Sequence, residues 1–222
     1  MIKKISLITK DGVKIAADLY SVGKPTGWIV LSHMMPATKE SYENLAIKLQ
    51  DANYESIAID LRGHGESENG PEGFFDFLDK DHQKSIFDLE AAVDYLIKER
   101  NATPNKISFI GASIGANLSL QYITEHLGFQ TAILLSPGLN YRGIKTEPMA
   151  KNIKSKQNVF FVSAKDDVRS DGNNNTEENK ILYKLTPNTV NKKIQIYETG
   201  GHGTDILKNQ PKLINLIFEF IK

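Results

Sequence analysis

A chain of 222 residues in which 27 Lys and Arg balance 27 Asp and Glu has no global field to draw it toward nucleic acid or an anionic membrane. Its 40% hydrophobic and 24% charged content suits one soluble domain over 1–222 with a sizeable core. The lack of cysteine excludes disulfides, thiolate zinc sites and a cysteine nucleophile together.

Met1-Ile2-Lys3-Lys4-Ile5-Ser6 opens the chain without the apolar run of roughly 7–15 residues that a signal peptide needs. No stretch approaches the roughly 18 apolar residues of a membrane span, so the expected location is cytoplasmic. The first predicted strands, Ile5–Thr9 and Val13–Tyr20, flank Asp11-Gly12, a hairpin signal because glycine accepts the positive φ of a tight turn. Trp28–Ser32 follows as a third strand. Tyr42, Leu45, Ala46 and Leu49 then share one helical face. Ser56–Asp60 is the next strand, and Ile86, Leu89, Val93, Leu96 and Ile97 mark the next helix. Ile107–Ile110 leads into a helix carrying Leu118, Tyr122 and Ile123. Ala132–Leu135, Val159–Val162 and Ile194–Tyr197 are further strands, and Leu213, Ile214, Ile217 and Phe220 form a closing helix. The later strands are apolar throughout rather than alternating, which marks a parallel sheet covered on both faces. The pattern predicts an α/β protein, a three-layer α/β/α sandwich on a mostly parallel eight-stranded sheet. Ser170-Asp171-Gly172-Asn173-Asn174-Asn175 reads as a mobile loop.

The chemistry concentrates where strands end. Gly111-Ala112-Ser113-Ile114-Gly115 is a Gly-x-Ser-x-Gly pentad between a strand and a helix. Such a turn lifts the serine hydroxyl clear of the sheet and aims a helix N-terminus at developing negative charge. The same pentad also suits a bare glycine-rich turn with a serine cap, so the flanking residues decide. A serine hydroxyl needs a base, and His202 sits in the glycine-flanked loop Gly200-Gly201-His202-Gly203 at the carboxyl edge of the sheet. The base needs a carboxylate to fix its tautomer. The strand at Val159–Val162 runs on into Asp166-Asp167, of which Asp166 is assigned the role and Asp167 is the alternative; the other aspartate caps the turn. Oxyanion donors are expected from the backbone N–H groups of Met35 and Ile114. His33 is assigned a structural role, bonding loop backbone.

With these segments in view, the chain resembles the α/β hydrolases, closest to compact dienelactone-hydrolase-like and serine-aminopeptidase-like esterases. The resemblance runs from Thr9-Lys10-Asp11-Gly12 to the terminal helix and includes Asp60-Leu61-Arg62-Gly63-His64-Gly65-Glu66-Ser67. It implies that this last stretch is a structural turn, which leaves His64 and Ser67 outside the site. The chain departs from the family in two respects. Met34 follows His33 where the family usually has glycine, and there is no cysteine for dienelactone-type chemistry. Only Pro137 to Asn158 is available for a lid, which must be very small and leave the site open.

The reading is a serine hydrolase cleaving short-chain or small aromatic esters through Ser113, His202 and Asp166, with no metal and no organic cofactor. Phe74, Phe75, Phe77, Tyr141 and Met149 are candidate pocket walls. The partner expected is a small-molecule ester, with no nucleic acid and no membrane span; the terminal strands and helix offer a surface for a homodimer. The rival readings are a peptidase or amidase, a thioesterase, and a hydrolase-fold binding protein without catalysis.

Overall fold

The structure, a computed structural model, describes residues 2–168 and 172–222. Its strands are β1 (Ile2–Ile8), β2 (Lys14–Tyr20), β3 (Gly27–Ser32), β4 (Tyr54–Ile59) and β5 (Ile107–Ala112). They continue with β6 (Thr131–Leu135), β7 (Asn140–Tyr141), β8 (Ile144–Lys145), β9 (Asn158–Ala164) and β10 (Asn191–Tyr197). Eight form one sheet in the order β1-β2-β4-β3-β5-β6-β9-β10; β1, β2 and β4 pair antiparallel and every later pair is parallel. The β1–β2 turn closes as its sequence dictates. Gly12, at φ 87°, donates to the Thr9 carbonyl, and the Thr9 hydroxyl accepts the Val13 N–H.

The helices are α1 (Glu43–Asp51), α2 (Asp79–Gln83), α3 (Ile86–Arg100), α4 (Ile114–Glu125), α5 (Thr146–Asn152), α6 (Asn175–Leu185), α7 (Asp205–Asn209) and α8 (Leu213–Ile221). Period-2 geometry splits each central strand between two cores. Val30, Ile57, Phe109, Leu134 and Phe161 meet Leu89, Val93, Leu118 and Leu182 from α3, α4 and α6. Ile29, Leu31, Ile110, Phe160 and Val162 meet Leu45, Leu49, Leu213 and Ile217 from α1 and α8. This is the expected three-layer sandwich, and double-sided burial explains why its strands read as unbroken apolar runs.

Two parts of the chain differ from expectation. Asn174 and Asn175 are not a loop: Asn174 caps α6 by accepting the Thr176 N–H, and Asn175 is buried in the helix's first turn. The Ser170 and Asp171 part of the expected loop lies outside the described residues. The connection between β6 and β9 holds only the β7–β8 hairpin and α5, so the lid is as small as its length requires. Among the described residues, no helix is long and apolar enough to cross a membrane.

Candidate active site

Ser113 stands between the end of β5 and the first turn of α4 at φ 54°, ψ −118°, a region that non-glycine residues rarely adopt. The strain is held by packing on both sides. A Cβ on Gly111 would lie 2.1 Å from the Gly115 carbonyl oxygen, and one on Gly115 would lie 2.2 Å from the Ser32 carbonyl oxygen. Both glycines of the pentad are therefore required by close approach of backbone. The Ser113 N–H continues the sheet onto the Leu135 carbonyl at 2.8 Å, and the Ser113 carbonyl accepts the Ala116 and Asn117 N–H groups. Among the described residues no acceptor stands on the Ile114 N–H, which remains free at the N-terminus of α4, where the helix dipole favours negative charge.

His202 lies in the loop between β10 and α7, on the same sheet edge. Its neighbour Gly203 takes φ 56° and packs so closely that an added Cβ would be 3.3 Å from Ala112 Cβ and 2.6 Å from Met34 Sδ. That contact sets the histidine loop against both the serine turn and the loop after β3. The ring is partly exposed, and its Nδ1 stands 2.9 Å from both carboxylate oxygens of Asp167. With Nδ1–H donated to a carboxylate, Nε2 is left as the lone-pair nitrogen.

Asp167, not Asp166, is thus the residue the structure places against His202. The reason is a turn one residue tighter than the sequence discloses. The Asp167 N–H bonds back to the Ala164 carbonyl at 3.1 Å, which carries its side chain inward, where it is buried. Asp166 stays exposed and accepts the Gly200 N–H at 3.0 Å and the Gly201 N–H at 3.1 Å. It holds the histidine loop by its backbone while Asp167 meets the ring.

The loop after β3 is fixed at both ends by buried polar groups. His33 donates from Nδ1 to the Met34 carbonyl at 2.9 Å, and its Nε2 accepts the Leu61 N–H at 2.9 Å. Burial, with the nearby His64, pushes its pKa down to about 3, so the ring is a neutral brace. At the other end the buried Lys39 donates its N–H and its Nζ to the buried Asp60, each at 2.8 Å. Met34 and Met35 are absent from the residues at positive φ, so this loop does not need the glycine usual at its second position. Among the described residues the Met35 N–H, like that of Ile114, has no acceptor.

The Asp60–Ser67 turn is structural here. Arg62 bonds Asp88 and Asp11, Ser67 bonds the Asp60 carbonyl and the Ala16 N–H, and His64 stacks on Phe74 with ring centroids 4.1 Å apart. Phe74 is core, whereas Phe75 is exposed. Tyr141, on the β7–β8 hairpin, presents its ring to His202 edge to face at 6.3 Å. The residue that sequence reasoning left out is Ser136, whose hydroxyl bonds both Asp167 and the Gly203 N–H. Its only local signal is a serine–proline step after an apolar strand. Among the described residues no group of three or more His, Asp or Glu side chains could hold a metal ion.

The model of the family described as "Serine aminopeptidase, S33" matches residues 23–188. The polyketide transferase ATR5 of Stachybotrys chlorohalonatus is 29% identical over 113 residues, 50% of this chain and 36% of that protein. The chain thus spans well under two thirds of that relative's length. Among solved structures, the DcsB complex with its substrate analogue superposes with a TM-score of 0.82 at 16% identity, over 100% of this chain and 98% of that one. The Pyrococcus furiosus esterase Pf2001 superposes with a TM-score of 0.78 at 20% identity, over 100% and 91%. At such identities the likeness shows the fold, which is that of the α/β hydrolases.

Proposed function

Because the chain belongs to the serine aminopeptidase S33 family of α/β hydrolases, we propose that it is a serine hydrolase cleaving small carboxylic esters, with Ser113 as nucleophile, His202 as base and Asp167 as the orienting acid. The observation that carries this reading is the His202–Asp167 pair, 2.9 Å from Nδ1 to each carboxylate oxygen, on a loop packed against the turn that holds Ser113. A histidine whose Nδ1–H is held by a buried carboxylate has Nε2 available for a serine proton.

Each step then has an agent. Ser113 Oγ adds to the ester carbonyl carbon as His202 Nε2 takes its proton. The Ile114 and Met35 N–H groups, without acceptors of their own, donate to the oxyanion. The imidazolium gives its proton to the departing alkoxide, leaving an acyl-serine and an alcohol. Water, deprotonated by His202, adds to the acyl-serine; the acid leaves and Ser113 recovers its proton. The small lid, one hairpin and the seven-residue α5, supports short-chain or compact aromatic acyl groups over long lipid chains.

The test is turnover of p-nitrophenyl acetate, butyrate and octanoate by wild type and Ser113→Ala, with fluorophosphonate labelling. Wild type is expected to hydrolyse the short esters and to be labelled at Ser113, with Ser113→Ala losing several orders of magnitude in kcat. Unlabelled, inactive wild type would overturn the reading and leave a ligand-binding role. One rival, cleavage of a peptide bond at an N-terminus, is favoured by the family's description. Faster turnover of aminoacyl p-nitroanilides than of the matching esters would decide for it.

A further inference from the structure

Ser136 follows β6 by one residue and is fully buried at φ 53°, in the left-handed region. Its N–H extends the sheet onto the Val162 carbonyl at 2.8 Å, and its carbonyl accepts the Tyr141 hydroxyl at 3.4 Å. The side chain does something separate. Its hydroxyl donates to Asp167 Oδ2 at 2.7 Å and accepts the Gly203 N–H at 2.9 Å. Both directions are fixed by chemistry, because a carboxylate can only accept and an amide N–H can only donate.

We propose that Ser136 is a positioning residue of the hydrolytic site, its single hydroxyl locking Asp167 and the loop of His202 in one register. The inference rests on the reading of Ser113, His202 and Asp167 given above. Torsion of an aspartate carboxylate about its last bond is broad and weakly restrained. Asp167 meets His202 with both oxygens, so a bond from the imidazole alone leaves the carboxylate free to rock. The Ser136 proton on Oδ2 removes that freedom, and the Gly203 N–H on the same oxygen atom of Ser136 fixes the residue next to His202. Asp166 restrains the loop from the other side through Gly200 and Gly201.

The backbone argues for the hydroxyl as well. A non-glycine residue in the left-handed region is strained by its Cβ, a cost that glycine escapes. If position 136 served the chain path alone, glycine would fit it better. A side chain retained against that strain in a site has a use there, and the only polar atom it brings makes these two bonds.

The experiment uses Ser136→Gly and Ser136→Ala beside wild type, with kcat, KM and the pH profile of kcat/KM on p-nitrophenyl acetate, and the Tm of each protein. Ser136→Gly relieves the φ strain while deleting the hydroxyl, so it is expected to fold with a Tm no lower than that of Ser136→Ala, which keeps the strain and loses the same two bonds. Its kcat should fall about 10–100-fold with KM little changed, the size of effect seen when an outer partner of a functional side chain is lost. The acid limb of its profile should move to higher pH. Without the Ser136 proton, Asp167 keeps more negative charge to stabilise the imidazolium. The other titratable groups around the loop, among the described residues, are Asp166 on the Gly200 and Gly201 amides, the exposed Lys165–Glu198 pair, Tyr141 at the ring edge and Asp205, whose N–H bonds the His202 carbonyl. They are common to all three proteins. Ser136→Ala should show the same displaced limb. Wild-type kcat in Ser136→Gly, or a lower kcat with an unmoved acid limb, would overturn the inference while leaving the hydrolase reading intact. Wild type that neither turns over ester nor takes the fluorophosphonate label would overturn both.

Discussion

Replacing Asp167 and Asp166 in turn by asparagine separates two adjacent residues with the same charge and different work. Asp167 accepts from His202 Nδ1–H on both oxygens and from the Ser136 hydroxyl on Oδ2. An amide has one oxygen for these donors. If that oxygen stays on Ser136, the amide NH2 faces Nδ1 and drives the imidazole proton to Nε2, the nitrogen that the proposed mechanism needs free for the Ser113 proton. The wrong tautomer in the serine-protease template costs about 10⁴ in kcat, or about 5.5 kcal/mol. Asp166 is exposed and, among the described residues, hydrogen-bonds the loop through the Gly200 and Gly201 N–H groups. Asparagine there still offers an oxygen, so the loss is the difference between a charge-assisted and a neutral hydrogen bond, about 1 kcal/mol and less than tenfold in rate. Steady-state turnover of p-nitrophenyl acetate should therefore rank Asp167→Asn below Asp166→Asn by about a thousandfold in kcat, with folding checked by circular dichroism. Equal losses in two folded variants, or a heavier loss in Asp166→Asn, would refute the assignment.

Two further expectations concern the loop after β3. The folded protein holds His33 neutral with its pKa near 3, whereas the unfolded chain protonates this imidazole near its ordinary value of about 6.5, so stability is complete above that value and lost as pH falls toward 3. At pH 5 the cost is about 1.5 pH units at about 1.36 kcal/mol each, or about 2 kcal/mol from His33 alone. The fall in unfolding free energy between pH 7.5 and 5, from urea titrations, should shrink by that amount in His33→Asn; an identical fall in both proteins would contradict it. Lys39 Nζ lies 2.8 Å from Asp60, Glu40 and Glu66, and Asp60 has no exposed surface. Lys39→Met should cost about 3–5 kcal/mol by leaving that carboxylate unpaired, and adding Asp60→Asn should recover part of it. A single variant within 1 kcal/mol of wild type in urea would refute the reading that Lys39 is what offsets the buried Asp60 charge.

What the sequence made legible follows the range of the forces involved. Sheet and helices were readable because double-sided burial leaves strands such as Val159–Val162 with no polar face to hide. The serine turn was readable because Gly111 and Gly115 are fixed by contacts within a few residues or across one strand pair. Asp167 was undervalued because the turn that swings it inward depends on one backbone bond to Ala164, and moving a turn by one residue exchanges two identical side chains. The asparagine cluster hid α6 because Asn174 serves as a cap whose helix is packed by distant residues, among them Pro137, which accepts from Asn175 Nδ2. Beyond its serine–proline step Ser136 had no readable signal: its two partners lie 31 and 67 residues further along the chain and meet it where β6 and β9 pair.

The methionine that replaces the usual glycine after His33 belongs to the same argument. Glycine at the second position of such a loop leaves room for a neighbouring side chain; Met34 fills that room, and something opposite must give way. The side that yields is Gly203, where a Cβ would meet Met34 Sδ at 2.6 Å and Met34 Cβ at 3.3 Å. Its positive φ of 56° separately favours glycine. The departure in one loop is thus absorbed by the residue beside His202 in another, so the two loops are fitted to each other. That fit sets the loop that carries the Met35 N–H against the loop that carries His202 through one methionine side chain. On the proposed mechanism, a change at Met34 should accordingly disturb both oxyanion binding and proton transfer, although Met34 itself carries out neither step.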